Sequence, residues 1–318
     1  MTQILEARVI PEQAIKPKVR LCNDDLRHRI EVRIGRSFFT AYNYGSEWVR
    51  PFLYPVIGPL GTQITRNWPM VDGIEGEHKD HPHHKSIWVA YGECNKVDNW
   101  SEEAGHGWQR HRKLSEVVSG PVFGRITAIN DWCTPKGRKQ FEETRQLTFY
   151  ALPGNRRLFD LQVTFRMTEG RIVFTDTKEG GLVSVRVASS MDVRNGGKIE
   201  NGYGGINEGE AWGKSAPWCD YSGPVDGKYV GLAILDHESN PRYPTGWHVR
   251  DYGLMTANCF AWRYYRPEAK LRGDMIFGKG SATTWRYRLY LHPGDAQRGR
   301  VAARFVDFVA PPKVEVQS

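Results

Sequence analysis

Apolar and polar residues alternate with a period of two along most of this sequence. His28-Arg29-Ile30-Glu31-Val32-Arg33-Ile34 is the cleanest case, and Gln146 to Tyr150 and Leu161 to Phe165 repeat it. Arg171 to Asp176, Leu182 to Ala188, Val230 to Leu235 and Thr283 to His292 read the same way. Such alternation marks strands with one buried and one solvated face. Turn signals separate them: Pro153-Gly154-Asn155, Glu169-Gly170, Asn195-Gly196-Gly197, Asp226-Gly227 and Pro293-Gly294. Strands do not alternate with long amphipathic helices, which argues against a doubly wound α/β fold. Many antiparallel strands bury their apolar faces best as two stacked sheets. The pattern therefore predicts an all-β protein, a large antiparallel β-sandwich in which residues 1–318 form a single domain. One C-terminal helix is predicted, capped by Asp295 and running to about Val309, with Val301, Phe305, Phe308 and Val309 on one face and Pro311 beyond its end.

Three stretches resist a strand reading: Ser46 to His84, Tyr91 to Lys113 and Asn195 to Lys228. They are rich in Gly, Pro, Trp, Asn and charge. Long ordered loops on a sandwich commonly build a site.

Composition alters this picture in a few places. Hydrophobic residues make up 40% of the chain, enough for a substantial core. There are 11 Trp, and an indole is costly as filler because its N–H needs a partner when buried. The net charge of +8 raises nucleic acid or an anion as partner. Lys and Arg are nevertheless dispersed, as in Trp285-Arg286-Tyr287-Arg288-Leu289, which describes a basic solvated surface and no nucleic-acid interface. Five widely spaced cysteines without a C-x-x-C fit a reduced, cytoplasmic setting. Met1 to Lys18 has no continuous apolar stretch, and no apolar run reaches the roughly 18 residues of a spanning helix, so neither a secretory signal nor a membrane partner is expected. An exposed sheet edge would allow a homo-oligomer.

Four clusters carry candidate chemistry. In Glu77 to Trp88, four of the ten histidines fall between His78 and His84. Imidazole transfers protons near neutral pH and also ligates metals. In an extended segment His81 and His83 point one way and His84 the other. A cupin-like metal site would want a Glu four or five residues after the second His, where Ile87 and Trp88 stand, and the next Glu is Glu93. Proton transfer or hydroxyl binding is the preferred use, and no cofactor is expected. The second cluster, Asp176 to Gly180 with Arg186 beyond, puts Glu179 at a turn where a carboxylate can face a His. The third, Asn207 to Gly223, offers Glu210, Trp212, Lys214 and Trp218 in a segment that reads as too irregular for core. The fourth, Asp236 to Gly253, follows an apolar strand and carries His237, Asn240, Trp247, His248 and Arg250. An exposed polar loop or hairpin tip accounts equally for several of these residues taken singly. No G-x-G-x-x-G, P-loop, H-E-x-x-H or G-x-S-x-G occurs.

Arg50-Pro51-Phe52-Leu53-Tyr54-Pro55, the Asp80-His81-Pro82-His83-His84 run, Asp176 to Gly180, Trp212 to Gly223 and Asp236 to Gly253, in that order, resemble the signature blocks of the PmoA-like family of soluble bacterial proteins. The methane-oxygenase label attached to that family describes a membrane subunit, which a chain without a hydrophobic span does not match. The resemblance implies a galactose mutarotase-like sandwich and a sugar-linked role.

The expectation is a carbohydrate-active enzyme working on a saccharide or keto-saccharide. His83, His84 or His248 would act as acid and Glu179 as base. Arg186 and Lys214 would stabilise charge on a substrate oxygen, and Trp212, Trp218 and Trp247 would stack on sugar rings. His81, Glu210, His237, Asn240 and Arg250 complete the expected binding set. Cleavage by hydrolysis or β-elimination is preferred to epimerisation, because the loops are long. Two alternatives stand beside it: a non-catalytic carbohydrate-binding or sensing protein, and a metal-dependent enzyme using His81 and His83.

Overall fold

The computed structural model describes residues 18–311, so the outermost parts of the expected 1–318 domain lie outside the described residues. Two antiparallel sheets form the molecule. The larger runs Val19–Asp24, Arg29–Ile34, Ser37–Asn43, Phe52–Val56, Ile87–Cys94, Gly180–Arg186, Leu254–Asn258, Gly246–Arg250, with three short strands off this path. The second runs Lys198–Asn201, Trp218–Val225, Lys228–Asp236, Ala282–Pro293, Arg157–Arg166, Lys139–Tyr150, Phe123–Cys133, Trp108–Val118. The all-β sandwich expected from the period-two pattern is what the chain forms.

The long strands of the second sheet bury alternate side chains, as in Phe123–Cys133 and Arg157–Arg166. In Lys139–Tyr150 the core takes Phe141, Leu147 and Phe149, while Gln146 stays half-buried on the other face. Phe39 of the larger sheet meets Phe149 and Phe159 of the second edge-on, with ring centroids 5.9 and 6.1 Å apart. One core cluster built this way extends from Val19 to Leu291. Each fully buried large apolar side chain in it contributes about 1.5–3 kcal/mol.

Two inward positions of the same strand are charged. Glu143 and Arg145 lie inside the sandwich, and Arg145 donates to Glu143 (3.0 Å), to Gln109 Oε1 (3.0 Å) and to the Pro51 carbonyl (2.9 Å). Trp132 Nε1 donates to the same Glu143 carboxylate at 2.7 Å.

The C-terminal helix and all three stretches expected to be loops depart from the expected layout: Ser46 to His84 holds the strand Phe52–Val56, and Tyr91 to Lys113 holds Val97–Asn99 and the start of Trp108–Val118. The predicted C-terminal helix is broken into Ala296–Gly299 and Val301–Val309 by Arg300, whose φ is +56°. Asp295 does cap the first piece by accepting from Arg298 N, and Val301 and Phe308 are buried as expected. The break follows from close packing: a Cβ on Gly299 would lie 2.3 Å from the His292 ring. The stretch Asn195 to Lys228, expected to be a loop, contains the strand Trp218–Val225. Its buried Asp220 and Ser222 hide the alternation, and Asp220 Oδ1 meets His292 Nε2 at 2.8 Å.

Gly181 marks the tightest approach between strands of the larger sheet. An added Cβ there would stand 2.2 Å from the Ala257 carbonyl oxygen and 2.6 Å from Thr256 Cγ2. Gly181→Ala is therefore expected to destabilise the fold by about 1–3 kcal/mol, read from the shift of a urea unfolding midpoint. An unchanged midpoint would show that the two strands separate freely.

Candidate active site

The site grows from the face of the larger sheet turned away from the core. Register carries Phe52 opposite Trp88, Trp88 opposite Ser184, Ser184 opposite Thr256 and Thr256 opposite His248. In the next row Arg186 is opposite Leu254 and Leu254 opposite Arg250. Their sequence neighbours Val89, Val185, Met255, Trp247 and Val249 belong to the core. Alternation thus sends His248, Arg250, Arg186 and Trp88 to one shared outer face.

Over this face folds the histidine segment. Four rings form a continuous stack: Trp88 on His84 (5.3 Å, 22°), His84 on His81 (4.7 Å, 7°), His81 on Tyr252 (5.2 Å, 13°). His83 stands edge-on to His84 at 4.4 Å and to Trp100 at 5.6 Å. Arg186 ties the stack to the sheet, donating to His84 Nδ1 (3.1 Å) and to Asp80 Oδ1 (2.8 Å), with its guanidinium 4.7 Å from the Tyr252 ring centre. Arg66 donates to Asp80 as well and to the His81 carbonyl (2.9 Å). The backbone is held in left-handed conformations at His81, Ser86 and Glu102, with φ of +43°, +58° and +59°. For residues other than Gly such positions cost of order 1 kcal/mol each and gather at functional sites.

Electrostatics here keep the His83 and His84 imidazoles neutral. Burial, then the charges of Arg50, His81 and Lys85, pushes His83 down to about 3. His84 is driven well below its ordinary value, first by burial and then by His83 and Arg186. A guanidinium only donates, so His84 Nδ1 is the acceptor and its proton sits on Nε2. Asp80 is held well below the usual carboxylate range: burial opposes ionisation, but the His81 bond and the guanidiniums of Arg186 and Arg66 outweigh it. His84 thus stands neutral within the stack.

The second wall is built around His248. Its Nδ1 donates to the Lys178 carbonyl, which leaves the Nε2 lone pair without a protein partner among the described residues. Burial lowers its pKa to about 4; the Lys178 bond and Glu179 oppose that, and Arg250 adds to it. Trp212 faces His248 edge-on at 6.4 Å, and Arg250 lies 5.7 Å from the Trp212 ring centre while paired with Glu208. Tyr265 packs edge-on against Trp212 at 5.2 Å. Its phenol is pushed up first by burial and remains protonated at neutral pH. Glu179 is half-exposed, 3.0 Å from Lys178 Nζ, and its charge acts on His248, Arg250, Tyr252 and Tyr265 alike. Buried polar atoms normally find partners. On this face Trp88 Nε1, Arg186 Nε, Trp212 Nε1 and Tyr265 Oη have none among the described residues.

The structure thus brings together His81, His83, His84, Glu179, Arg186, Trp212, His248 and Arg250 from the expected set. It places the others elsewhere. Trp247 faces the core and donates to the Ala216 carbonyl at 3.0 Å, because it alternates with His248. Trp218 packs with Leu235, Tyr290 and Phe308 on the second sheet, beneath the C-terminal helix. His237 lies edge-on to Phe308 at 4.9 Å, also on that side. Asn240 exchanges hydrogen bonds with the Arg286 backbone and donates to Asp236 at 2.7 Å, so its amide is consumed in clamping the loop. Glu210 accepts from Ile206 N at 3.0 Å and secures the short helix Asn207–Ala211. Lys214 is exposed, and its amine has no hydrogen-bond partner among the described residues.

Tyr252, Tyr265, Arg66 and Trp100 join the site without having been singled out from sequence. The aromatic and basic run Trp262-Arg263-Tyr264-Tyr265-Arg266 was the available signal for Tyr265. Arg66, between Thr65 and Asn67, gave none.

Among the described residues no group of three or more His, Cys, Asp or Glu is arranged to hold a metal ion. The His81 and His83 rings stand 5.6 Å apart at a steep angle, each engaged in aromatic packing. EDTA treatment is accordingly expected to leave the melting temperature within about 1 °C of the untreated protein, since ligand linkage would otherwise shift it by several degrees. A larger loss, restored by added metal, would overturn that expectation.

Three solved structures show distant likenesses. A heparan sulfate lyase HepC mutant from Pedobacter heparinus matches with a TM-score of 0.41 at 9% identity over 85% of this chain, which spans 36% of that chain. The GalM/aldose epimerase homologue from C. elegans matches at 0.33 and 8% identity, covering 88% of this chain and 100% of that one. A galactose mutarotase related enzyme from Lactobacillus acidophilus gives 0.30 and 9%, covering 86% and 97%. No curated protein matches the sequence. A family model does match, and its description makes no mention of PmoA. It is described as a family of unknown function, DUF6807, and it extends over residues 29–306, most of the length of the sequence. This chain belongs to that family of unknown function, DUF6807.

Proposed function

We propose that this protein acts on a saccharide by abstracting a proton next to a carbonyl or carboxylate group, with His248 as the base. The observation that carries the reading is the His248 imidazole itself: Nδ1–H fixed on a backbone carbonyl, Nε2 unpartnered, and a pKa lowered to about 4 that keeps it neutral. Geometry comes first for a general base, and this ring is oriented before any substrate arrives. His248 Nε2 takes the C–H proton, and the electron pair passes into the adjacent carbonyl as an enolate. Arg250, beside His248 on the same strand, stabilises the oxyanion. Glu179 stabilises the imidazolium that forms. In β-elimination the pair then expels the β-oxygen substituent, which takes the proton from the His248 imidazolium; return of that proton to carbon gives epimerisation instead.

Hydrolysis through an oxocarbenium-like state fits less well. It asks for two working carboxyl groups and builds positive charge on the sugar. Here Asp80 is held by Arg66 and Arg186, and Glu208 by Arg250, while guanidiniums crowd the face.

Incubation with keto-saccharides and uronate-containing oligosaccharides in D₂O tests this. Deuterium is expected at the carbon beside the carbonyl, or absorbance of an unsaturated product near 230 nm. Saccharide binding with neither signal would assign a sensing role. No binding by any saccharide would remove the reading altogether.

A further inference from the structure

Next to the His248 wall lies a separate cavity of about 170 Å³, lined by Arg242, Arg266, Trp262, Tyr265, Asn258 and Ser215 among others. Two of these residues belong to both places. Tyr265 packs on Trp212, and the Asn258 amide donates to the Thr177 carbonyl (3.1 Å), one residue before the Lys178 carbonyl that fixes His248. The cavity is therefore contiguous with the proton-transfer face, with Tyr265 and Asn258 as the shared wall.

Its chemistry differs from that face. Arg242 and Arg266 lie 4.0 and 5.9 Å from the Trp262 ring centre. Arg66, Arg186 and Arg250 are each paired with a carboxylate. Neither Arg242 nor Arg266 has one within 4.0 Å among the described residues. Arg242 instead donates to the carbonyls of Cys259 (3.1 Å), Gly273 (2.6 Å) and Asp274 (3.1 Å), which fixes its guanidinium in place. Its backbone is held at φ +62°, a conformation disfavoured for Arg and common at ligand clamps. Arg266 is exposed and bonded through Nη2 to Ser215 Oγ at 3.0 Å. Two guanidiniums without a salt-bridge partner, set against indole and phenol rings, suit a sugar ring that carries an oxyanion: the ring face on the aromatics, the anion on the N–H groups that the backbone carbonyls leave over.

We infer that this cavity is a subsite for the acidic group of a saccharide, the carboxylate of a uronic acid or a sulfate ester. The inference rests on the saccharide reading above and narrows it to acidic substrates. The test is titration of the full chain by NMR or calorimetry with D-glucuronate, D-glucose 6-sulfate and D-glucose, for the natural protein and for Arg266→Gln. Arg266 is exposed, so the variant is expected to fold normally. The two acidic sugars should bind the natural protein about tenfold or more tighter than glucose, and raising salt should weaken them alone. Arg266→Gln should lose that preference and leave the glucose affinity unchanged. The tighter of the two acids identifies carboxylate or sulfate as the source. Equal affinities for glucose and both acids in the natural protein, or an unaltered preference in Arg266→Gln, would overturn the subsite while leaving the saccharide reading standing. Failure of all three sugars to bind would remove both.

Discussion

His248→Gln is expected to lower turnover by about 10²–10⁴-fold, the range for loss of a positioned general base, with little loss of stability near pH 7. The glutamine amide still reaches the Lys178 carbonyl, but it has no lone pair with useful basicity. The pH profile sharpens the test. A base that must be neutral loses activity on the acid side, at its own pKa. For His248 burial and Arg250 put that limb near 4, against the ordinary 6.5. Activity should stay level from neutrality to about pH 5 and fall below it. A limb at 6.5 would show an exposed imidazole or a different base. Stability carries the same signature. Between pH 6.5 and about 4 the unfolded chain holds a proton on this ring and the folded one does not. Stability therefore falls as pH falls through that window, by about 3 kcal/mol from this group. The variant should lose that much less over the same range, which urea unfolding at the two ends of the window measures.

Glu143→Ala is expected to destabilise the fold by about 3–5 kcal/mol, because it strands the Arg145 charge in the sandwich interior. Both side chains are nearly inaccessible, so water cannot replace the lost carboxylate. The Trp132 indole N–H loses its acceptor in the same step. Pairing Glu143→Leu with Arg145→Met removes both charges and should cost less than Glu143→Ala alone, since an apolar pair leaves nothing ionised to solvate. A double variant as unstable as the single one would locate the cost in the bonds to Gln109 and Pro51 instead. Neither residue touches the site, so the specific activity of the folded fraction should be unchanged.

The sandwich was legible in the sequence because alternation survives wherever the inward residue is apolar, as from Arg29 to Ile34. It was lost where inward residues are polar. Asp220 and Ser222 made the strand Trp218–Val225 read as loop, and Trp218 was assigned to sugar stacking for that reason. Residue type alone points to the histidine cluster and to Glu179 and His248. What could not be read was parity. Trp247 and His248 are neighbours in a strand, and only the fold determines which of them faces the core. Long-range partners were also beyond reach. Arg186 and His84 lie 102 residues apart in the chain, and neither shows in its own segment that it will meet the other.

That parity bears on how the family diversifies. In Gly246–Arg250 and Leu254–Asn258 one set of alternate positions packs in the core and the other faces the candidate site; Gly180–Arg186 and Ile87–Cys94 follow this in part, with Leu182, Val183 and Cys94 also in the core. Exchange of the outward set leaves the packed set and its register untouched. Descendants of one ancestral scaffold can therefore trade reactions by drifting at the outward residues of these strands, and sequence identity between such descendants will understate how much architecture they still share.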